Sequence, residues 1–300
     1  MIPLAIVIPY YKLSFFEETL LSLQKQTNQQ FNVYIGDDAS PEDTQEVLEK
    51  YKDSFPFQYK RFETNLGRIS LVKQWERCLT MVQDEEWIMF LCDDDILGDN
   101  CIESFYENLD AINSCESTVV RFATQVIDDK GQPITEIYQH PKVEKAADFL
   151  IRKFKGGTRS SLSEYIFKKE MIDKIHFKDF PLAWYSDLLA VLEFSNWKQI
   201  FTINEAIVYF RLSGLNITSR KDDLTLKNVA TFKFYYYLLS NCDIHFSNEG
   251  IEKLLDNVER TFLDNKKNVR HWIQLFILYV RFFQYKRFLK LSFKVKKSIR

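Results

Sequence analysis

The chain has 300 residues, of which 46% are hydrophobic and 15% aromatic, with 8 glycines and 7 prolines. This composition supplies a substantial core and excludes disordered, collagen-like and low-complexity proteins. The 40 basic and 42 acidic residues nearly cancel, yet residues 265 to 300 hold 11 basic and no acidic residue. So uneven a charge distribution predicts a C-terminal segment that meets a negatively charged partner, with lipid and nucleic acid as the usual candidates.

The cysteines and the N-terminus bear on the compartment. The five cysteines show no C-x-x-C spacing, so neither a disulfide scaffold nor a zinc site is expected, and a reducing cytoplasm fits best. The apolar N-terminus lacks a basic leader and a cleavage site, and it predicts a buried strand instead of a signal peptide. No uncharged apolar run approaches the roughly 18 residues of a membrane span.

Short β-type segments alternate with helical patterns through the first 130 residues. Strands are predicted at Leu4–Pro9, Phe31–Gly36, Phe57–Phe62, Trp87–Cys92 and Thr118–Ile127, and helices at Phe15–Gln26, Pro41–Lys52, Ile69–Met81 and Asp99–Asn113. Apolar runs without alternation, such as Ala5-Ile-Val-Ile8, are typical of central strands covered on both faces. This order predicts an α/β fold with a doubly wound, mostly parallel sheet.

The second half of the chain changes character after Asn216. Before it, helices are expected at Lys169–Ile175 and Asp187–Ser195 and a strand at Ala206–Phe210, as an elaboration of the first domain. After it come three long helical stretches without proline, at Leu224–Leu239, Asn248–Leu263 and Asn268–Lys297. A boundary near residues 215 to 222 therefore separates a domain of residues 1–215 from a helical extension of residues 216–300.

Acidic residues end two of the predicted strands, at the edge where ligands of a parallel α/β sheet bind. Asp37 and Asp38 close the second strand, and Asp93, Asp94 and Asp95 close the fourth. A helix cap or a turn would also explain the first pair. Three adjacent carboxylates are costly to ionise together unless a cation or hydrogen-bond donors offset the charge. The triplet therefore predicts a site for Mg²⁺ or Mn²⁺, which prefer carboxylate oxygens and substrate phosphates.

Four segments, in this order and spacing, resemble the family-2 glycosyltransferases of GT-A fold. They are Ile6-Val-Ile-Pro-Tyr-Tyr11, Asp37-Asp-Ala-Ser40, Asn65-Leu-Gly-Arg68 and Phe90-Leu-Cys-Asp-Asp-Asp-Ile-Leu97. The resemblance covers residues 3 to 215 and implies a Rossmann-like catalytic domain. It implies transfer of a sugar from a nucleotide-diphosphate sugar, with a UDP-sugar favoured, to an acceptor hydroxyl with inversion at the anomeric carbon. It also implies Mn²⁺ or Mg²⁺, which stabilises the leaving diphosphate.

The resemblance further implies roles for single residues. On the nucleotide-sugar side it places Pro9, Tyr10, Tyr11, Asp37, Asp38, Asn65, Arg68 and Asp93, with Asp37 or Asp38 accepting from a base imide. Asp94 and Asp95 are expected at the metal. Cys92 occupies the first position of the family's acidic motif, and because a neutral thiol is a poor ligand for these ions, which two aspartates act stays open. Ordinary core or surface aromatics are the alternative for the two tyrosines, and a solvated charge is the alternative for Arg68.

The general base that inversion requires is expected at Asp187, in Trp184-Tyr-Ser-Asp-Leu-Leu189 at the start of a helix. Aromatic neighbours would desolvate this carboxylate and raise its pKa toward a useful range. A helix N-cap is the alternative explanation, and Glu164 is the second candidate for the base.

Two weaker elements follow. Gly156 and Gly157 resemble the acceptor-side loop of the family, with a flexible surface loop as the alternative. Arg211 stands where family members often have R-x-H, and Ser213 replaces the histidine. The role of that histidine is therefore missing or supplied by Arg211, Arg220 or Lys221, and Arg211 is the candidate for the phosphate or acceptor side.

The C-terminal stretch from Trp272 to Arg287 combines large aromatics with basic residues. Such a helix could lie in the headgroup plane of an anionic membrane, or it could pack its apolar face on the catalytic domain. Nucleic acid is not expected as a partner, because no binding module accompanies the charge. We expect a cytoplasmic enzyme, peripheral on the inner face of the cell membrane, that acts on a glycan or lipid-linked glycan in bacterial surface polysaccharide synthesis.

Two other classes of protein stay open. A non-catalytic sugar- or membrane-binding protein can keep the same fold, because fold does not entail activity. A Mg²⁺-dependent phosphotransfer domain also places paired aspartates at a strand end, although the acidic triplet and the long continuation of the chain do not suit it. A dinucleotide oxidoreductase is not expected, because no G-x-G-x-x-G follows the first strand.

Overall fold

The computed structural model describes residues 4–214, 216–264 and 266–299, apart from the side chains of residues 294 and 296–299. Contacts divide the chain into two compact units. The first consists of residues 1–179 and 186–220, and the second of residues 180–185 and 221–300. Phe180–Tyr185 thus belongs to the helical unit, although the sequence places it inside the first domain.

The first unit contains one large sheet. Within the described residues its strands are β1 (Leu4–Tyr10), β2 (Asn32–Asp37), β3 (Phe57–Arg61), β4 (Trp87–Phe90), β5 (Ile96–Leu97), β6 (Val119–Ile127), β7 (Val143–Lys145), β8 (Tyr165–Lys168) and β9 (Gln199–Arg211). Their order is β3-β2-β1-β4-β8-β6-β9-β5, with β7 also paired to β9. Strands β1 to β4 are parallel, as are β6 and β9, whereas β8 is antiparallel to both of its neighbours. The predicted fold class, an α/β protein with a mostly parallel sheet and a helical C-terminal extension, is confirmed.

Helices flank the sheet and make up most of the second unit. The first unit has α1 (Phe16–Gln24), α2 (Gln45–Tyr51), α3 (Leu71–Leu79), α4 (Cys101–Glu107), α5 (Leu109–Ser114), α6 (Ala146–Phe154), α7 (Lys169–Ile175) and α8 (Ser186–Phe194). The second has α9 (Leu224–Asn241), α10 (Asn248–Asp264), α11 (Val269–Arg281) and α12 (Tyr285–Ile299).

Two predicted helices are each divided in the structure. The helix predicted at Asp99–Asn113 breaks at Asn108, whose side-chain amide donates to the Ser104 carbonyl at 2.8 Å and so competes with the helical pattern. The helix predicted at Asn268–Lys297 breaks between α11 and α12, where Phe283 has a φ of 55°. A residue in this left-handed region cannot continue a right-handed helix.

The parallel half of the sheet sets the position of the candidate site. Residues 4 to 8 of β1 are completely buried, as expected for an apolar central strand covered on both faces. The Asp38 amide donates to the Tyr10 carbonyl at 3.0 Å, and the Leu91 amide donates to the Val7 carbonyl at 2.9 Å. The chain segments that follow β1, β2 and β4 therefore meet at one edge of the sheet.

Ion pairs as well as apolar packing join the helices of the second unit. Arg287 of α12 pairs with Glu252 at 2.7 Å and also with Asp256 and Glu259 of α10. The Tyr279 hydroxyl of α11 donates to Glu259 at 2.6 Å. Among the described residues, no helix has both the length and the apolar character needed to span a membrane.

Candidate active site

Asp93 connects the loop after β4 to the loop after β1. Its Oδ2 accepts hydrogen bonds from the backbone amides of Tyr11, at 2.8 Å, and Lys12, at 2.9 Å. Burial raises the pKa of Asp93, and these two amides oppose the rise. The Tyr11 side chain is 37% exposed, so it can offer a ring face to a ligand at this edge of the sheet.

Tyr10 and Pro9 have different surroundings from Tyr11. Tyr10 is completely buried, and its ring centroid lies 4.4 Å from that of Phe16. Burial raises the pKa of its hydroxyl. The alternative of an ordinary core aromatic therefore describes Tyr10, which has no exposed surface for a nucleotide. Pro9 is half-buried at the end of β1.

Asp95 is completely buried, and both of its carboxylate oxygens accept hydrogen bonds from the chain. Ser163 Oγ donates to Oδ2 at 2.5 Å, and the Arg211 amide donates to Oδ1 at 2.9 Å. Burial raises the pKa of Asp95 to about 6, against the effect of these two donors. Thr19 also donates to the Asp95 carbonyl at 2.9 Å. Asp95 thus fixes the acidic triplet to β9 and α1.

Asp94 is the member of the triplet whose carboxylate has no hydrogen-bond donor from the part of the chain that the structure describes. Burial, followed by the negative charges of Asp95 and Asp93, raises the pKa of Asp94 to about 8. The environment therefore disfavours the charged carboxylate, and a bound cation would offset this cost. The Asp94 carbonyl accepts from Arg211 Nε at 3.0 Å, which fixes the backbone beneath the side chain.

A metal ion bound at Asp94 would need further ligands from the substrate or from water. Among the described residues, no group of three or more His, Cys, Asp or Glu side chains is arranged to hold a metal. Mg²⁺ commonly binds through one or two carboxylates together with substrate phosphates and water. The residues present fit that mode, because Asp94 offers one unengaged carboxylate with an elevated pKa.

Arg211 holds the backbone of the acidic triplet in place. Besides the Asp94 carbonyl, its guanidinium donates to Glu18 at 2.5 Å and to the carbonyls of Asp128 and Asp129 at 3.2 and 3.3 Å. The side chain is completely buried. A phosphate ligand needs accessible donors, and the chain itself occupies those of Arg211. We therefore interpret Arg211 as a positioning residue for Asp94.

Asp37, at the end of β2, is held by three donors. The Ser40 amide donates to Oδ1 at 2.7 Å, while the Tyr59 hydroxyl and Arg61 donate to Oδ2 at 2.5 and 2.9 Å. A carboxylate has about four acceptor sites, so Oδ1 has capacity for one further donor, but like Tyr10 the side chain has no surface that a base imide can reach. The side chain is completely buried in the described structure.

Asp38 shapes the segment from Asn65 to Arg68. It accepts from the Gly67 amide at 2.8 Å and from Arg77 at 2.5 Å. A Cβ atom on Gly67 would lie 2.6 Å from Asp38 Oδ2, so this close approach requires glycine. Asn65 Oδ1 accepts from the Arg68 amide at 2.8 Å and forms the turn. Asp38 and Asn65 thus build the loop, and the Arg68 side chain is exposed on it.

Asp187 lies in the first turn of α8 and is half-buried. Burial raises its pKa, whereas the Leu188 amide and the positive charges of Lys153 and Arg159 oppose the rise. Lys153 is in the last turn of α6, and burial lowers its pKa. A carboxylate with a raised pKa next to two cations has the properties of a general base. The helix N-cap alternative is compatible with the same position, because amides of the first turn face the carboxylate.

Arg159 contacts the capping box of Ser161 and Glu164, and it is not among the residues predicted from the sequence. Its Nη1 donates to Ser161 and to Glu164, both at 3.2 Å, and its guanidinium lies 4.2 Å from the centre of the Phe210 ring. Burial raises the pKa values of Asp95 and Asp187, and the positive charge of Arg159 opposes this rise. Asp95 of the acidic triplet and Asp187 therefore both experience the positive charge of Arg159. The available signal was a cation two residues after the Gly156-Gly157 pair.

Glu164 and the two glycines complete the candidate set. Glu164 is completely buried, and with Ser161 it forms a reciprocal capping box at the start of a short 3₁₀ turn. It therefore stabilises local structure, and Asp187 is the more accessible of the two candidate bases. Gly156 has a φ of 78° and open space around its Cα, whereas a Cβ on Gly157 would lie 3.0 Å from the Arg152 side chain.

Comparisons with known proteins agree with this geometry. The family model described as Glycosyl transferase family 2 matches residues 5–179, which is more than half of the chain and ends before Asp187. A search of curated proteins finds no significant match.

Solved structures of TarS from S. aureus share the fold. TarS 1–349 in complex with UDP-GlcNAc aligns with a TM-score of 0.66 and 18% identity over 94% of this chain and 80% of that one. TarS 1–349 alone gives a TM-score of 0.63 and 16% identity over 93% and 80%. The complex with UDP gives 0.55 and 17% over 86% and 82%. At such identities the likeness establishes the fold.

Proposed function

Because the chain belongs to glycosyl transferase family 2, we propose that it is an inverting enzyme that moves a sugar from a UDP-sugar to a hydroxyl of a glycan or lipid-linked glycan. The observation that carries the proposal is the meeting of the loops after β1, β2 and β4 at one edge of the sheet, where Asp93 accepts from the Tyr11 and Lys12 amides. The choice of UDP is supported by the shared fold with TarS, one structure of which is in complex with UDP-GlcNAc.

In this proposal the loops after β1 and β2 bind the nucleotide. Tyr11 presents its exposed ring to the base, and the buried Asp37 holds the Tyr59 and Arg61 side chains at the end of β2. The Asp93 side chain holds the Tyr11 and Lys12 amides in place and orients this edge toward the ribose. Arg68, exposed on the loop that Asp38 and Gly67 fix, lies toward the diphosphate.

Asp94 would hold Mn²⁺ or Mg²⁺ together with the donor diphosphate. When bound, the cation supplies stabilisation of the negative charge that develops on the leaving diphosphate. Asp95 was the other predicted ligand, but Ser163 and Arg211 already donate to its two oxygens. We therefore assign Asp95, with Arg211, the role of holding the Asp94 backbone in position.

Asp187 would act on the acceptor. Its carboxylate takes the proton of the attacking hydroxyl as the new bond to the anomeric carbon forms. Lys153 and Arg159 favour the charged form of Asp187, which is the form that can accept a proton, while burial keeps its pKa above the ordinary value. The loop with Gly156 and Gly157, which precedes Arg159, is the proposed acceptor loop.

The reaction itself tests this proposal. UDP-sugars are incubated with Mn²⁺ and a panel of bacterial glycan and lipid-linked acceptors, and products are analysed by mass spectrometry and by the NMR coupling of the anomeric proton. We expect one donor to give UDP and a β-linked product from an α-linked donor. A product of retained configuration would contradict the single-displacement mechanism. A failure of every donor and acceptor would favour a non-catalytic binding protein on the same fold.

We further propose that the enzyme acts in bacterial surface polysaccharide synthesis, in the cytoplasm, and that its second unit binds the surface of an anionic membrane. An exposed apolar stripe, which we call the α11–α12 stripe, runs along both helices: Val269, Ile273, Phe276, Ile277, Val280, Phe283, Tyr285, Leu289 and Phe293. The opposite side of α11 is buried. Lys267, Arg270, Lys286 and Lys290 are exposed beside the stripe. Apolar groups flanked by cations are the composition of helices that lie in anionic lipid surfaces.

Vesicle sedimentation tests the membrane contact. The protein is expected to sediment with phosphatidylglycerol vesicles and to remain in solution with phosphatidylcholine vesicles. Replacing Phe276 and Phe283 by serine should reduce the bound fraction at least about fivefold, because both side chains would insert into the interface. Ile244→Ser is the matched control, since Ile244 is an exposed residue of the same unit outside the stripe. Equal binding of both variants would contradict the assignment.

A further inference from the structure

The segment Phe180–Tyr185 has an unusual backbone. Leu182, Ala183 and Tyr185 have φ values of 62°, 52° and 70°. Side-chain-bearing residues rarely adopt this left-handed region, and such strain persists only where the surroundings enforce it. The strained segment ends directly before Ser186 and Asp187, with which α8 begins. Strain of this kind clusters at functional sites.

Helix α9 supplies the surroundings that hold the segment. The fully buried Phe234 ring contacts both of its ends. It stacks on Tyr185 with centroids 4.5 Å apart and an angle of 7° between the ring planes, and it meets Phe180 edge-on at 6.2 Å. Lys227, two turns of α9 further toward the N-terminus and also buried, places its ammonium 5.1 Å from the Trp184 ring centre.

Neighbouring rings of α9 reinforce the same contact. Tyr235 lies 6.2 Å from Tyr185, and Tyr237 lies 6.4 Å from Phe180. Aromatic pairs at these separations add stabilisation beyond the apolar area that they bury. Both ends of a six-residue segment are therefore fastened to one helix. Of the three strained residues, Leu182 and Ala183 lie between these ends, and Tyr185 is itself one of them.

We propose that α9 is a positioning element for the catalytic base, with Phe234 as the residue that holds Phe180–Tyr185 in its strained form. If Tyr185 relaxed to a negative φ, the direction of the chain entering α8 would change, and Asp187 would move with it. Phe234 is a positioning residue, since it acts through the segment. The inference rests on the proposed function, because it takes Asp187 as the base.

The test compares two phenylalanines of α9. Phe234→Ala removes the ring that fastens the segment. Phe232→Ala is the matched control, because Phe232 is equally buried but faces Phe262 and His271 of the helical unit, at 6.4 and 4.1 Å. Phe234→Tyr keeps the ring, and Phe234→Leu replaces the alanine variant if that one does not fold. The readouts are kcat, the KM for the donor, and hydrogen exchange of the amides of residues 182–187.

We expect Phe234→Ala to lower kcat by about 100-fold, the size of effect that a displaced catalytic group produces. The donor KM should stay within about twofold, because the donor contacts are elsewhere, and amides 182–187 should lose protection. Phe234→Tyr should restore both, and Phe232→Ala should keep kcat within about threefold of the wild type. Equal losses of kcat in Phe234→Ala and Phe232→Ala, or unchanged exchange in Phe234→Ala, would overturn the inference. A wild type without transferase activity would instead contradict the proposed function, and hydrogen exchange would still decide whether Phe234 holds the segment.

Discussion

Replacing Asp187 by asparagine is expected to lower kcat by about 10³-fold, within the range that a general base contributes. Asparagine has the shape of aspartate and can still accept from the amides of the first turn of α8, but it cannot take a proton from the acceptor hydroxyl. The fold and the donor site should therefore be unchanged. The measurement is steady-state transfer with saturating donor, together with the melting temperature and the affinity for UDP.

The pH dependence of transfer is a second test of Asp187 as the general base. The base must be ionised, so kcat/KM should rise with pH through the pKa of Asp187, which burial raises above the ordinary aspartate value. Lys153→Met removes a charge that lowers this pKa, so the rise should move to higher pH. Asp173→Asn, at an exposed carboxylate of α7, should behave as the wild type. A loss of less than tenfold in Asp187→Asn, or a pH profile that ignores Lys153, would contradict the assignment.

Replacing Asp94 by asparagine is expected to abolish the Mn²⁺ dependence of UDP binding and to lower transfer by about 10²- to 10³-fold, as loss of one electrostatic stabiliser of the transition state does. The melting temperature of the unliganded protein should be equal to or higher than that of the wild type. The reason is that the variant removes a half-buried carboxylate whose charged form has no donor from the described chain.

Asp95→Ala provides the contrast. It leaves the Ser163 hydroxyl and the Arg211 amide without their buried acceptor, and it should lower the free energy of unfolding by about 3 kcal/mol. Calorimetric UDP titrations with and without Mn²⁺, and chemical denaturation, distinguish the two variants. The assignment would be contradicted if Asp94→Asn destabilised the protein but kept Mn²⁺-dependent UDP binding, while Asp95→Ala lost that binding without loss of stability. Asp95 would then be the metal ligand and Asp94 the structural residue.

The sequence predicted the parallel half of the sheet because its signals are local. An apolar run such as residues 4–8 needs cover on both faces, and carboxylates that follow neighbouring parallel strands must meet at one edge. That reasoning anticipates the contact of Asp93 with the loop after β1. The two-residue period of a strand also accounts for the different burial of Tyr10 and Tyr11, because Tyr10 lies on the same strand face as Ile6 and Ile8.

Other features depend on distant parts of the chain. Strand β9 extends over 13 residues, whereas the predicted strand covers only Ala206–Phe210, because its pairing with β6 carries a register shift that no local pattern encodes. Ser163 and Arg211 meet Asp95 from 68 and 116 positions away, so single-sequence reasoning could not separate the structural aspartate from the unengaged Asp94. The positive φ of Phe283 likewise cannot be predicted from the type of residue at that position.

The most direct test is the melting temperature of the wild-type protein with UDP, GDP, CDP or dTDP, each with and without Mn²⁺. This measurement tests both the nucleotide of the donor and the need for the metal. Ligand that binds the folded state raises the melting temperature by mass action. One diphosphate, UDP in our proposal, should raise it by about 5 °C at roughly 100 times its Kd, and only when Mn²⁺ is present. No shift with any of the four diphosphates would contradict a nucleotide-diphosphate-sugar enzyme.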